Sequence, residues 1–253
     1  MKKPLNKKVE GIIMEVAEVA DYLWQRGWAE RNAGNISVNI NHLITDDFKY
    51  DENDSYFDLS ISYPLLANHY FLVTGTGKRM RDLARQPLKN ALLIKLNEQG
   101  KGYWILSQKK TANNFLPTSE LPTHLAIHQM IHEKGSDEKV VMHTHVSELI
   151  AITQIPEFCN ADRLNKLIWG MHPETMVFIP DGIGFVPYVI PGSEAIAKET
   201  LKALQNHNMV LWEKHGIFAI GGTVFDTFDN IDIVSKSVKI WFMCRSAGFE
   251  PQG

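Results

Sequence analysis

Between residues 9 and 26 the apolar positions Ile12, Ile13, Val16, Val19, Ala20, Leu23 and Trp24 recur at helical spacing, with charged residues between them. That period predicts an amphipathic helix, and Gly27 is placed to end it. The pattern then shortens. "ISVNI" at 36–40 alternates apolar and polar residues and reads as a short strand. "HYFLVT" at 69–74 and "NALLIKL" at 90–96 are denser apolar runs that predict two more strands, the second closed by a turn at Gln99 and Gly100. "NNFLPTSELPTHLAIHQMIHEK" at 113–134 begins as a loop and becomes a helix, and Val140, Val141 and Met142 open a further strand. A helical or mixed stretch follows, with a Pro-Asp-Gly turn at 180–182, and a helix is predicted from Glu194 to His207. "MVLWEKHGIFAIGG" at 209–222 reads as two strand segments around His215 and Gly216. The last helix carries Ile231, Val234, Ser235, Val238, Trp241 and Phe242 on one face and ends near Gly248. Strands grouped centrally with helices outside predict a single layered α/β or α+β domain over residues 1–253, without repeats or an interdomain linker.

Composition narrows the function classes. The chain of 253 residues is 44% hydrophobic and 22% charged, within the range of a soluble globular protein able to bury a sizeable core. A net charge of -3 gives no basic footprint for nucleic acid or an anionic membrane. Acidic residues Glu10, Glu15, Glu18 and Asp21 interrupt every apolar run near the N-terminus, so no signal peptide is expected there. The two cysteines, Cys159 and Cys244, lie outside any Cys-x-x-Cys spacing, and reduced thiols in the cytoplasm are the expectation. The acidic run from Asp46 to Asp58 lacks the glycine and ligand spacing of a calcium loop and reads as a solvated excursion.

Candidate chemistry begins at "KVVMHTHVSEL", residues 139–149. Successive side chains on a strand alternate faces, so His143 and His145 share one. Two neighbouring imidazoles can hold a first-row metal, Zn(II) by default, once a third ligand is found; two ordinary histidines would look the same. His124, His128 and His132 recur every four residues along one helix face, but with no His-Glu-x-x-His motif they read as a polar stripe. His215 is the better third candidate, because it sits among apolar strand residues and the adjacent Gly216 permits close backbone approach.

Three loops suit an anion. "VTGTGK" at 73–78 places glycines and a threonine after a strand without being a P-loop, "NAGN" at 32–35 supplies amides around a glycine, and "PTSELP" at 117–122 supplies two hydroxyls at a helix entrance. Glu120 in the last loop is either a reacting carboxylate or a residue that favours the positive end of the helix. Lys95, inside "ALLIKL", raises the option of a Schiff base, against an outward strand position with the ammonium in water.

In this order, "ERNAGNIS", "FLVTGTGK", "PTSELPTH", "VVMHTHVSEL", "PDGIG", "PGSEAI" and "KHGIFAIG" resemble the class II sugar-phosphate aldolases, from about residue 9 to the end of the chain. The resemblance implies an α/β/α domain with a central, largely antiparallel sheet flanked by helices, assembled as a homotetramer with sites near subunit interfaces. It implies one Zn(II) per subunit on His143, His145 and His215, with Glu120 beside it as acid/base and occasional fourth ligand. Gly34 and Asn35, Thr76 and Gly77, and Thr118 and Ser119 map onto the phosphate site, with Asn32 lining the same pocket. Glu174 falls where a second carboxylate reaches a neighbouring subunit's site. The long segment between Ser37 and Tyr70 looks like the rhamnulose rather than the shorter fuculose branch. The implied activity is retro-aldol cleavage of L-rhamnulose 1-phosphate through an enediolate that a divalent metal stabilises. Epimerases and dehydratases of the same fold are near alternatives. A noncatalytic cytoskeletal scaffold is a distant one, because such relatives lack the metal histidines that this chain has.

Overall fold

The computed structural model describes residues 7–45, 54–109, 115–190 and 194–251. Helix α1 (Lys7–Gln25) turns Val9, Ile13, Val16, Val19, Ala20 and Leu23 inward and ends at Gly27, whose φ of 73° is easiest for a residue without Cβ. The strands are β1 (Asn35–Asn39), β2 (Asp54–Asp58), β3 (Tyr70–Thr74), β4 (Ala91–Leu96), β5 (Gly102–Lys109), β6 (Val140–Thr144), β7 (Gly184–Val186), β8 (Met209–Trp212) and β9 (Gly216–Gly221). They form one sheet in the order β2-β5-β4-β3-β1-β6-β9-β8-β7, antiparallel at every pairing except β7 with β8. The acidic run expected to be a solvated excursion lies partly outside the described residues, and its last part, from Asp54, is the edge strand β2.

Helices cover both faces. On one side lie α1, the short helices α2 (Met80–Arg85) and α3 (Pro87–Asn90), then α5 (Ser147–Ile152), α6 (Ala161–Met171), α7 (Pro173–Phe178) and the long α9 (Val224–Ser246). Their apolar faces join Ile36, Val38, Leu72, Val140 and Met142 in the largest core cluster. On the other side lie α4 (Leu121–Glu133) and α8 (Glu194–Ala203). Leu121 and Leu125 of α4 pack on Phe71, Val73 and Ile94, while Ile127, Met130 and Ile131 pack on Val141, Val210 and Phe218. The result is the α/β/α arrangement with a largely antiparallel sheet that the resemblance implies. Central β1 is buried on both faces along most of its length, its polar positions included.

The stretch at 147–178 resolves into three short helices, because Pro156 and Pro173 each start a new turn and Asn160 caps α6, its side chain accepting from the Arg163 N–H. Cys159 and Cys244 are free thiols. Among the described residues no helix is long and apolar enough to cross a membrane.

Candidate active site

The end of β6 carries His143, His145 follows it, and the β8–β9 turn carries His215. Their rings lie 4.9–5.2 Å apart by centroid. One ligand nitrogen from each lies within 4.8 Å of the others, a spacing open to a metal ion. Gly216 makes this approach possible. A Cβ there would stand 2.5 Å from the Thr144 carbonyl and 3.1–3.2 Å from the His143 and His145 rings, too close for any side chain. Lys214, at φ 61°, turns the chain so that His215 precedes β9 rather than lying within it.

Among the described residues, each ring keeps at least one nitrogen free of a protein hydrogen bond. His143 Nδ1 donates to the Ile217 carbonyl at 3.0 Å, so neutral His143 keeps its lone pair on Nε2, a buried atom with no partner among the described residues. His215 Nδ1 is likewise buried and unpartnered. His145 Nδ1 lies 2.8 Å from a carboxylate oxygen of Glu30, which orients the ring and leaves Nε2 for the cluster. A buried lone pair without a donor is costly, and a cation removes the cost. Burial, then the neighbouring His145, lowers the pKa of His215 to about 4, and burial holds His143 well below the ordinary range. Neutral imidazoles are what a metal binds, so the donor set fits a first-row divalent ion.

Glu120 stands at the N-cap of α4 yet makes no capping bond with its side chain. Its Oε2 instead accepts from Asn35 Nδ2 at 2.8 Å, so the carboxylate stands at the positive end of the helix but is held from β1. Asn35 is paired across the sheet with His143, which brings the carboxylate to the histidine cluster. Burial raises the Glu120 pKa, while the Asn35 hydrogen bond and the nearby His145 work against the rise.

The expected anion loops meet here. A bridge between Gly75 and Pro117 joins the 73–78 loop to the helix entrance, and a Cβ on Gly34 would lie 3.2 Å from the His143 carbonyl. The N–H groups of Thr76 and Thr118 are used inside the fold, on Leu116 and Thr74 carbonyls, and Thr118 Oγ1 accepts from the Glu120 N–H. Asn32, Thr76, Gly77 and Ser119 are exposed, whereas Thr118 and Asn35 are buried.

Glu174, expected at a neighbouring subunit's site, and Lys95, the Schiff-base option, lie apart from this cluster. Glu174 is exposed in the first turn of α7, on the opposite side of the sheet from α4, and pairs with His172 at 2.6 Å, a bond that lowers its pKa. Lys95 sits on β4 with its ammonium 5.5 Å from the Tyr70 ring centre. Three strand spacings, on the order of 14 Å, separate β4 from β6, which removes Lys95 from the histidine cluster. Conversely, His124 and His128 are not a surface stripe, for both are buried behind Asn35. Motif reading singles out neither Glu30 nor Ser37 as a site residue, and it assigns these two histidines to a polar stripe.

Residues 14–242 match the Class II Aldolase and Adducin N-terminal domain family. The chain is 43% identical over 242 residues to a rhamnulose-1-phosphate aldolase from Bacteroides thetaiotaomicron, covering 95% of this chain and 88% of that protein. It is 36% identical over 233 residues to one from Mannheimia succiniciproducens, covering 91% and 85%. Among solved structures it resembles a sugar-phosphate aldolase from Thermotoga maritima, with a TM-score of 0.82 and 32% identity over 97% of this chain and 100% of that one.

Proposed function

Because this chain belongs to the class II aldolase and adducin N-terminal domain family, we propose that it is the aldolase of L-rhamnose breakdown. In this reading it reversibly cleaves L-rhamnulose 1-phosphate to dihydroxyacetone phosphate and L-lactaldehyde. The observation that carries the reading is the meeting of three clustered histidines with Glu120, in a chain whose near full-length relatives bear that activity in their names. One catalytic domain spans 1–253 and works in the cytoplasm on a small sugar phosphate.

His143, His145 and His215 hold one Zn(II) per subunit. When bound, the ion supplies a Lewis acid for the negative charge that develops on the dihydroxyacetone phosphate half during cleavage. Glu120 takes and returns the proton at the carbon that is bonded in one direction and released in the other. The burial that raises its pKa brings it closer to neutrality, where a general acid/base exchanges protons most effectively. Asn32, Gly34, Asn35, Thr76, Gly77, Thr118 and Ser119 hold the phosphate through amides and hydroxyls. The Asn35 carboxamide is already bonded to Glu120 and His124, so its share of that task falls to the backbone. Fixing the non-reacting phosphate turns binding energy into orientation at the reacting carbons.

The subunits form a homotetramer in which Glu174 serves a neighbour's site. Exposed Met176, Val177 and Phe178, which follow Glu174 after the buried Thr175, support this, since contiguous apolar residues on a surface favour association. The test is kcat/KM on L-rhamnulose 1-phosphate, L-fuculose 1-phosphate and L-ribulose 5-phosphate, with dihydroxyacetone phosphate release followed by a coupled reductase. Preference for the first is expected. Preference for the second would move the assignment to the fuculose branch, and epimerised product without a three-carbon fragment would overturn cleavage altogether.

A further inference from the structure

Asn35 and Ser37 face α4 from β1, and α4 presents His124 and His128 to them. Two residues along a strand advance about 6.7 Å and four along a helix about 6 Å, so the two rows stay in step. Ser37 Oγ lies 2.7 Å from His124 Nδ1 and 2.8 Å from His128 Nε2, while His124 Nε2 meets Asn35 Oδ1. Exposure is 0% for His124, 1% for Ser37 and 2% for His128. Apolar side chains would fill this seam at less cost than four polar ones unless the bonding is complete.

The carboxylate fixes every proton in the series. Ionised Glu120 only accepts, so Asn35 presents its NH2 to Glu120 and its Oδ1 to His124. Oδ1 needs a donor, which makes His124 the Nε2–H form. Its bare Nδ1 then accepts from the Ser37 hydroxyl, and Ser37 Oγ accepts from His128 Nε2–H. Burial keeps both histidines neutral, His124 with a pKa of about 3 and His128 well below 6.5. Without this series, the Asn35 amide could flip within the same volume and turn an oxygen against the carboxylate.

We propose that His124, Ser37 and His128 are positioning residues for the reaction: a one-way series of donors that locks the Asn35 carboxamide and through it holds Glu120 in the geometry for proton transfer. The proposal rests on the reading above in which Glu120 moves the proton.

Two readings test it in the zinc-loaded enzyme. His124→Leu removes donor and acceptor, whereas His124→Gln keeps an N–H near the place of Nε2. His124→Leu should lower kcat on L-rhamnulose 1-phosphate by about 10–100-fold, the usual size of an outer-shell loss, with KM and zinc content within about threefold of wild type. His124→Gln should recover most of that loss, and His132→Leu, at the exposed end of the same helix, should leave kcat unchanged. Independently of turnover, two-bond 15N–1H correlation spectra of histidine-labelled wild type should show both His124 and His128 as Nε2–H tautomers. Unchanged kcat in His124→Leu, equal impairment of the leucine and glutamine variants, or an Nδ1–H tautomer at His124 would each overturn the proposal. Absence of aldol cleavage in the wild type would instead overturn the reaction assignment, and the spectra would still decide the donor order.

Discussion

Replacing His124 with glutamine should flatten the acid limb of this protein's stability. His124 is fully buried beside Asn35, Ser37 and the edge of the Phe218 ring, and burial lowers its pKa from 6.5 to about 3. Over that interval the folded histidine stays neutral while the unfolded one is protonated. The unfolded state then binds more protons, so the contribution is intact above pH 6.5 and is lost progressively as pH falls through that value toward the folded pKa. At pH 5 the solution is about 1.5 pH units below the unfolded pKa, and the loss relative to pH 7.5 is about 2 kcal/mol. Any folded pKa below about 4 gives nearly the same figure, because the native ring is neutral at pH 5 in every such case. His128 acts in the same direction.

The assay is urea unfolding of wild type and His124→Gln at both pH values, with metal removed by a chelator. His143 and His215 also titrate low in the fold, but they are present in both proteins and cancel in the difference. Wild type should lose about 2 kcal/mol more than the variant between pH 7.5 and 5, with m-values unchanged. The variant's lower stability at neutral pH, about 1–3 kcal/mol for a disturbed buried hydrogen-bond group, carries no weight; the slope does. Parallel losses in the two proteins would refute the argument, since they would mean that His124 is charged or reached by water in the fold.

Single replacement of His143, His145 or His215 by alanine should remove stoichiometric zinc, measured by elemental analysis after dialysis, while His132→Ala retains it. Gly216→Ala should act like a ligand loss, because its Cβ meets the Thr144 carbonyl at 2.5 Å; full metal content there would contradict the close approach. Glu120→Gln should keep zinc and fold but lose about 10²–10⁴ in kcat, and near wild-type turnover would end its acid/base role. Mixing inactive Glu120→Gln and Glu174→Ala subunits should regenerate activity if Glu174 acts across an interface, and none should return after verified exchange if it does not.

Elements with a strong period were legible from the sequence. Helices α1 and α9 carry long apolar stripes, and β6 and β9 are apolar runs bounded by turn residues. Strand β5, "GYWILSQK", was not singled out, because Gly102 and Ser107 break its run; it is held as a strand by β2 on one side and β4 on the other. Similarly, α2 and α3 are too short to show a period of their own and depend on packing against α1. At the site, the His-x-His pair was visible in one strand, but its meeting with His215 links segments about seventy residues apart, and only Gly216 hinted that the backbone there approaches closely.

The burial of the row His124–His128 has a reason that the sequence itself contains. At about 100° per residue, His124 and His128 fall between Ile127 and Ile131 on one flank and Leu121 and Leu125 on the other, in the middle of the buried stripe. A polar row opposite an apolar stripe faces water; a polar row inside one has to be buried and therefore has to find partners. Its partners must come from a strand with polar residues two apart, and Asn35, Ser37 and Asn39 on β1 form such a row. The alternation on β1 and the four-residue histidine repeat on α4 are therefore two halves of one buried contact. Each half is ambiguous alone, and together they place a histidine network directly behind Glu120.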